Sequence, residues 1–413
     1  LAVIHTSRAR RTGVGLCLLA LAAGLPASAA DQKLPEGFVA GPWILAPSFR
    51  ASYGAGDNVF LRDESRAVSD RITTLGGSLD AVLPFRNSRL RFGYDVDKER
   101  YAAIEFPRDV AQVADVDLVL GFKTGDEIRI RDVYREDFAR AEEVDAGGEI
   151  QSFEGEPYNL NSADIEISRD VPRRQGYTIR VRRRDFRYLG TRDIGFFDYS
   201  GFSNVFEYRQ PLSDERSWVA RYEARRYNHY DPFGIEAPSG VPFRKELSDA
   251  VLFGVRGFLG EERPYVVRLG YTRFRYEGRD ESNYAGIAGL AAWRLALAGD
   301  SQLDLELVRR PLPSILSTYY INNAARAELE RKWRRFESGA TLEVSQNNYG
   351  DETPGCDGRR QDSTYAVEAF GGLRFHELLA FRLSVTHTKR NSNCAGGDYN
   401  ATGITTGLLL GWF

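Results

Sequence analysis

The feature that most restricts this chain is an alternation of apolar and charged residues with a period of two, renewed segment after segment. In Arg89 to Asp97, Leu90, Phe92, Tyr94 and Val96 share one parity, while Arg89, Arg91, Asp95 and Asp97 share the other. Side chains of a strand point alternately to its two faces, so such a segment is a strand with one apolar and one wet face. Val116, Leu118, Leu120 and Phe122 likewise oppose Asp115, Asp117, Gly121 and Lys123. Tyr177, Ile179 and Val181 oppose Arg180, Arg182 and Arg184, and Leu303, Leu305 and Leu307 oppose Gln302, Asp304 and Glu306.

Eighteen such segments are counted, centred near residues 48, 77, 92, 118, 130, 165, 180, 206, 221, 253, 269, 291, 305, 325, 341, 370, 385 and 407. Their connections alternate in length. Eight short turns, for example Pro84 to Ser88, Thr124 to Asp126 and His376 to Leu379, interleave with nine longer loops. Short turns at one end and longer loops at the other mark outer-membrane barrels. The predicted fold is therefore all-β, a transmembrane antiparallel barrel of about 18 strands with short periplasmic turns and long extracellular loops. The loops around Asp63, Glu142, Gly240 and Asp357 are expected outside the cell.

Composition fits that reading. Mean hydropathy is −0.40, too low for a bundle of membrane helices. The chain carries 24 Phe, 21 Tyr and 5 Trp, many toward strand ends. Trp43, Tyr53, Phe60, Tyr94, Tyr177, Trp218 and Phe381 are among those expected in interfacial girdles. The formal charge is only −3, and lysine is scarce beside arginine.

The first thirty residues read as an export signal. Arg8, Arg10 and Arg11 precede an apolar run from Val14 to Leu25 and the small residues Ala27, Ser28, Ala29 and Ala30. The expected organisation is a signal peptide at 1–30, a short periplasmic segment at 31–41 and the barrel at 42–413. The chain closes on Gly411, Trp412 and Phe413, and a terminal Phe suits the last strand of an outer-membrane barrel. The expected location is the outer membrane of a Gram-negative cell, with its lipid as a partner.

Asp57-Asn58-Val59-Phe60, then Ser69-Asp70, then Leu83-Pro84-Phe85 follow the first strand. This run, over residues 45 to 95, resembles the outer-membrane β-barrel porin family associated with exopolysaccharide gene clusters. The resemblance implies export of a secreted polysaccharide across the outer membrane, alongside periplasmic components of an export system. It carries no site residue across.

Parity collects the inward arginines. Arg129, Arg131, Arg180, Arg182, Arg184, Arg221 and Arg225 are candidates for an anion path, because guanidinium forks grip carboxylates in bidentate fashion. Asp164 and Glu166 stand beside Arg180, Arg182 and Arg184 and are expected to neutralise part of them, which leaves Arg129 and Arg131 as the stronger candidates. Paired charge that merely stiffens a wet wall is the competing reading. A general or solute-selective diffusion porin is the alternative function. No catalytic residue, metal ligand set, cofactor site or nucleic-acid motif is read. His229, His376 and His387 fall into no recognisable spacing with a nucleophile and an acid. Cys356 and Cys394, in the eighth and ninth long loops, are expected to form a disulfide in an oxidising compartment.

Overall fold

A computed structural model describes residues 37–411, apart from 107, 139–155, 172–173, 190–197, 230–244, 261–262, 277–282, 298–299, 315–318 and 353–355. The expected signal peptide, the terminal Trp412 and Phe413, and the loop positions Glu142 and Gly240 lie outside the described residues.

Nineteen strands follow one another. They are β1 (Phe38–Ala40), β2 (Trp43–Gly56), β3 (Asp70–Phe85), β4 (Ser88–Tyr101), β5 (Val110–Gly121), β6 (Asp126–Phe138) and β7 (Pro157–Arg169). Next come β8 (Gly176–Tyr188), β9 (Tyr199–Pro211), β10 (Arg216–His229), β11 (Lys245–Phe258), β12 (Pro264–Tyr276) and β13 (Tyr284–Leu297). The last are β14 (Ser301–Pro313), β15 (Tyr319–Trp333), β16 (Phe336–Glu352), β17 (Arg359–His376), β18 (Leu379–Ser392) and β19 (Tyr399–Gly411). From β2 to β19 each strand pairs antiparallel with the next, and β19 returns to β2 with Gly403 to Gly411 against Gly56 to Ser48. The result is a closed barrel of eighteen strands. Closure leaves no sheet edge along the seam, which is what a strand fold needs in a bilayer.

Every predicted strand centre falls within an observed strand. The parity also holds. On β5 the exposed side is Val110, Ala114 and Val116, whereas Ala111, Val113, Asp115, Asp117 and Val119 are buried toward the lumen.

Within the segment at 31–41, Phe38–Ala40 forms β1, paired with Leu45 to Trp43. β1 thus lies along β2 at Leu45 to Trp43, and β19 pairs with β2 from Gly56 to Ser48. The turn at Gly41, where φ is +63°, folds β1 back onto β2. Phe60 was placed in an interfacial girdle, but it is only 1% exposed and packs inward. Its ring meets Phe106 at 5.8 Å, and Phe106 meets Tyr101 at 4.7 Å and Phe138 at 5.5 Å.

The buried aromatics line the inner side of the barrel at its long-loop end. Tyr158, Phe186, Tyr199 and Tyr227 stack across β7 to β10 with successive centroids 5.3, 5.4 and 5.4 Å apart. Tyr320 and Tyr349 stack at 5.5 Å on β15 and β16. Below this collar the inner wall is charged.

Candidate functional site: the charged lumen wall

Sheet register turns the parity of the sequence into rows. One row runs Arg91, Asp117, Arg131, Asp164, Arg182 across β4 to β8, with charge alternating at every strand. The row beside it runs Arg89, Val119, Arg129, Glu166, Arg180. Direct neighbours on one face of a sheet sit close enough to pair, so opposite charge at each step stabilises the wall.

The pairing is dense. Arg129 donates through Nε to Asp117 Oδ1 at 2.7 Å and through Nη2 to Oδ2 at 2.8 Å, a bidentate fork. Arg91 donates to Asp80 at 2.9 Å through Nε and to Asp115 at 3.3 Å through Nη1. Arg180 bonds Glu166 at 2.5 Å through Nε, and Arg182 lies 3.6 Å from Asp164. The carboxylates are sunk into the wall, Asp117 at 2% exposure, while the guanidinium groups reach over them. The expectation that Arg129 and Arg131 have few acidic neighbours is therefore overturned. Arg129 holds Asp117, and Arg131 stands between Asp117 and Asp164 in the register. Parity gives the face of a residue but not its neighbour on the next strand.

Arg180, Arg182 and Arg184 differ on their other flank. Their partners on β9 are Val205, Ser203 and Gly201, none of which carries charge. This run is the edge of the ladder, with carboxylates on the β7 side only. Arg221 and Arg225 belong to a second knot. Arg221 donates to Glu207 at 3.1 Å and to Glu223 at 2.5 Å, Arg268 reaches Glu207 at 3.1 Å, and Arg225 lies 3.7 Å from Glu223.

The wall across the lumen from the ladder is rich in glutamate. β16 is nine strands from β7 in a ring of eighteen, hence across the lumen. Inward on β15 to β17 stand Glu328, Glu330, Glu337, Glu343 and Glu368, with Arg326 bonded to Glu328 at 2.5 Å. Between the two faces, Ala250, Leu252, Ala288, Leu290 and Val308 form the apolar floor of a groove on β10 to β14 that Glu223, Arg225, Arg268 and Arg310 flank.

A third knot was missed by parity. Arg50 on β2 crosses over β3 to donate to Asp97 at 2.6 Å and to both oxygens of Asp95, at 3.0 and 2.6 Å, on β4. The crossing is open because Gly76 occupies the row between Arg50 and Asp97. A glycine flanked by inward charges on both neighbouring strands was the available signal.

The residues that carry the family resemblance also find roles, as loop anchors. Thr402 N–H donates to Asp57 Oδ1 at 2.6 Å. Asn58 donates to Arg62 O at 2.5 Å and Asn400 O at 3.1 Å and accepts from Arg62 N–H at 3.1 Å. Ser69 Oγ donates to Asp57 O at 3.0 Å. Asp70 Oδ1 accepts from the backbone of Arg71 at 2.7 Å, Ala102 at 3.1 Å and Ala103 at 3.0 Å. These bonds hold the first two long loops and seat Phe60 and Phe106 on the collar.

The structure joins Cys356 to Cys394 in a disulfide, with the two residues also forming an isolated β-bridge. His387 faces outward beside Thr402, 3.1 Å from its hydroxyl, and His376 accepts a backbone N–H in the last short turn. The side chain of His229 lies outside the described residues. Among the described residues there is no cluster of three metal-ligating side chains.

No family model and no curated protein matches the chain. Solved structures do. The FrpB iron transporter of Neisseria meningitidis, F3-3 variant, aligns with a TM-score of 0.50 and 9% identity over 87% of this chain and 64% of its own. The outer membrane protein OpdK of Pseudomonas aeruginosa aligns at 0.48 and 10% identity, over 89% of this chain and 99% of its own. OccK7 of the same organism aligns at 0.44 and 11% identity, over 90% and 100%. This chain thus spans less than two thirds of the FrpB structure. At such identities the likeness concerns the fold alone. The fold that this chain shares with these outer-membrane proteins is a closed ring of antiparallel strands, eighteen in this chain.

Proposed function

We propose that this barrel passes an acidic polysaccharide outward across the outer membrane, as the last step of secretion. The observation that carries the reading is the run Arg180, Arg182, Arg184, three guanidinium groups at every second residue with uncharged neighbours on β9. Such a run offers successive grips to a chain of carboxylates, so that a polymer exchanges one for the next without a deep trap. The resemblance around Asp57 to Phe60 points the same way, and the polymer and the periplasmic components that deliver it are the partners this reading requires.

The test is electrical. In planar bilayers, a short oligouronate added on one side should block the current in discrete events, whereas neutral dextran of equal size should not. Replacing Arg182 and Arg184 by Glu should shorten those events at least tenfold and shift ion selectivity toward cations. Unchanged events and selectivity in a normally folded double variant would refute the reading.

A solute-selective diffusion porin is the second reading. It draws on the bidentate Arg129–Asp117 pair and the Arg180–Glu166 pair, which hold guanidinium groups against the wall and leave a compensated, wet lumen. Passage of small anions with no polymer blockade would favour it.

A further inference from the structure

The outer surface of the ladder strands differs from the rest of the lipid-facing band. On β6, β7 and β8 the rows are Ile128, Ile167, Ile179, then Ile130, Ile165, Val181, then Asp132, Ala163, Arg183. Six β-branched residues make a panel without an aromatic ring, bordered by Val116 and Leu118 of β5 on one side and by Phe202 and Phe206 of β9 on the other.

The third row sets the panel apart. Asp132 is the seventh residue of β6 and Arg183 the eighth of β8, both exposed and both pointing outward. Elsewhere outward charge above the apolar band begins farther from the short turns, as at Lys98, Arg226, Asp249, Arg273 and Arg309. Arg183 is held by Asp185 at 2.9 Å and lies over the Phe202 ring at 5.8 Å. Asp132 has no hydrogen bond or ion pair among the described residues. A charge at this depth is costly against lipid and is relieved by protein.

We propose that this panel is where a second copy of the chain docks. Two barrels in one membrane are related by a two-fold axis along the membrane normal, and such an interface is self-complementary. With the axis through Ala163 on the central strand, β6 of one copy faces β8 of the other. Asp132 then meets Arg183 of the partner subunit, and the same contact recurs on the other side of the axis. Strand tilt offsets the two in height by roughly 6 Å, within the reach of an arginine side chain. Ala163, the smallest side chain of the panel, stands at the point of closest approach, and the isoleucine rows below it present matching flat surfaces.

Cysteine crosslinking in outer membranes tests this. An Ala163→Cys chain, oxidised without extraction, should give a disulfide-linked homodimer that runs at twice the monomer mass and disappears on reduction. Ala340→Cys, outward and more exposed than Ala163 but on β16 across the barrel, should stay monomeric. In the Ala163→Cys background, Asp132→Arg should lower the dimer yield at least fivefold, and adding Arg183→Asp should restore it. Each variant is scored only in its folded, fast-migrating form, so failure to insert is not mistaken for failure to pair. No dimer from Ala163→Cys, equal yields from both cysteine positions, or crosslinking to a different protein would overturn the proposal.

Discussion

Gly76 offers a sharp test of how the wall is built. It lies in the row between Arg50 and Asp97, and a Cβ there would stand 2.0 Å from Asp97 Oδ1 and 2.7 Å from Arg50 Nε. Neither atom has a free direction in which to move. Asp97 is 1% exposed, and Arg50 is already committed to both oxygens of Asp95. In Gly76→Ala the Arg50 Nε to Asp97 bond must break, which takes the arginine away from a buried carboxylate. Removing one side of such a pair costs about 3 to 5 kcal/mol. The gain from replacing glycine by alanine in a strand is about 0.5 to 1 kcal/mol. The net expectation is a loss of about 2 to 4 kcal/mol. Gly371 on β17 is the matched control, since a Cβ there meets nothing within 4 Å, and Gly371→Ala should be neutral or slightly stabilising. Reversible unfolding in urea from lipid vesicles, followed by tryptophan fluorescence and the mobility shift of the folded barrel, gives both values. Equal stabilities of the two variants would refute the claim that Gly76 exists to let Arg50 across.

Asp70→Ala should free the second long loop, because three backbone N–H groups lose one acceptor; amide exchange at Ala102 and Ala103 should rise by at least tenfold, with the strands unaffected. Asp198, just before β9 at the long-loop end, accepts the Tyr188 N–H at 2.8 Å, and burial pushes its carboxyl up to about 6. The folded state then holds this proton more tightly than the unfolded chain. Its stability is greatest below the ordinary carboxylate range and falls as pH rises through 6, so exchange at Tyr188, corrected for intrinsic rate, should be slower at pH 5 than at pH 7. Asp198→Asn should remove that difference. Non-reduced mass spectrometry should find no alkylatable thiol at Cys356 or Cys394, and epitope tags at Asp63 or Asp357 should be labelled on intact cells while a tag at Asn87 should not.

What could be read from the sequence follows from what a period of two encodes. Each strand's face is fixed by its own residues, which is why the inward placement of Arg89, Arg131, Arg182 and Arg268 needs no neighbour to be known. Register is different, since it depends on where each turn closes. The short turn at 122–125, with Gly125 at positive φ, sets Gly121 against Glu127 and so decides that Arg131, not Arg129, shares a row with Asp117. That is why the pairing of Arg129 with Asp117 and the crossing of Arg50 over Gly76 stayed hidden. Phe60 misled for a related reason. An aromatic beside a strand end looks the same in a lipid girdle as in an inner collar until the Asn58 anchor that turns it inward is seen.

The charge ladder has a consequence for how such a lumen selects. Where each guanidinium is matched by a carboxylate in its own row, the near-field attraction for a passing anion is weak, and the pair contributes rigidity more than affinity. Selectivity must then come from where matching fails. One place does so, the β9 flank of Arg180, Arg182 and Arg184, where the register partners are Val205, Ser203 and Gly201. A carboxylated chain in the lumen would be drawn toward that flank. Reversing Arg182 and Arg184 should therefore affect passage of such a chain more than reversing Arg129. The latter would leave Asp117 beside a second acid and register chiefly as lost stability.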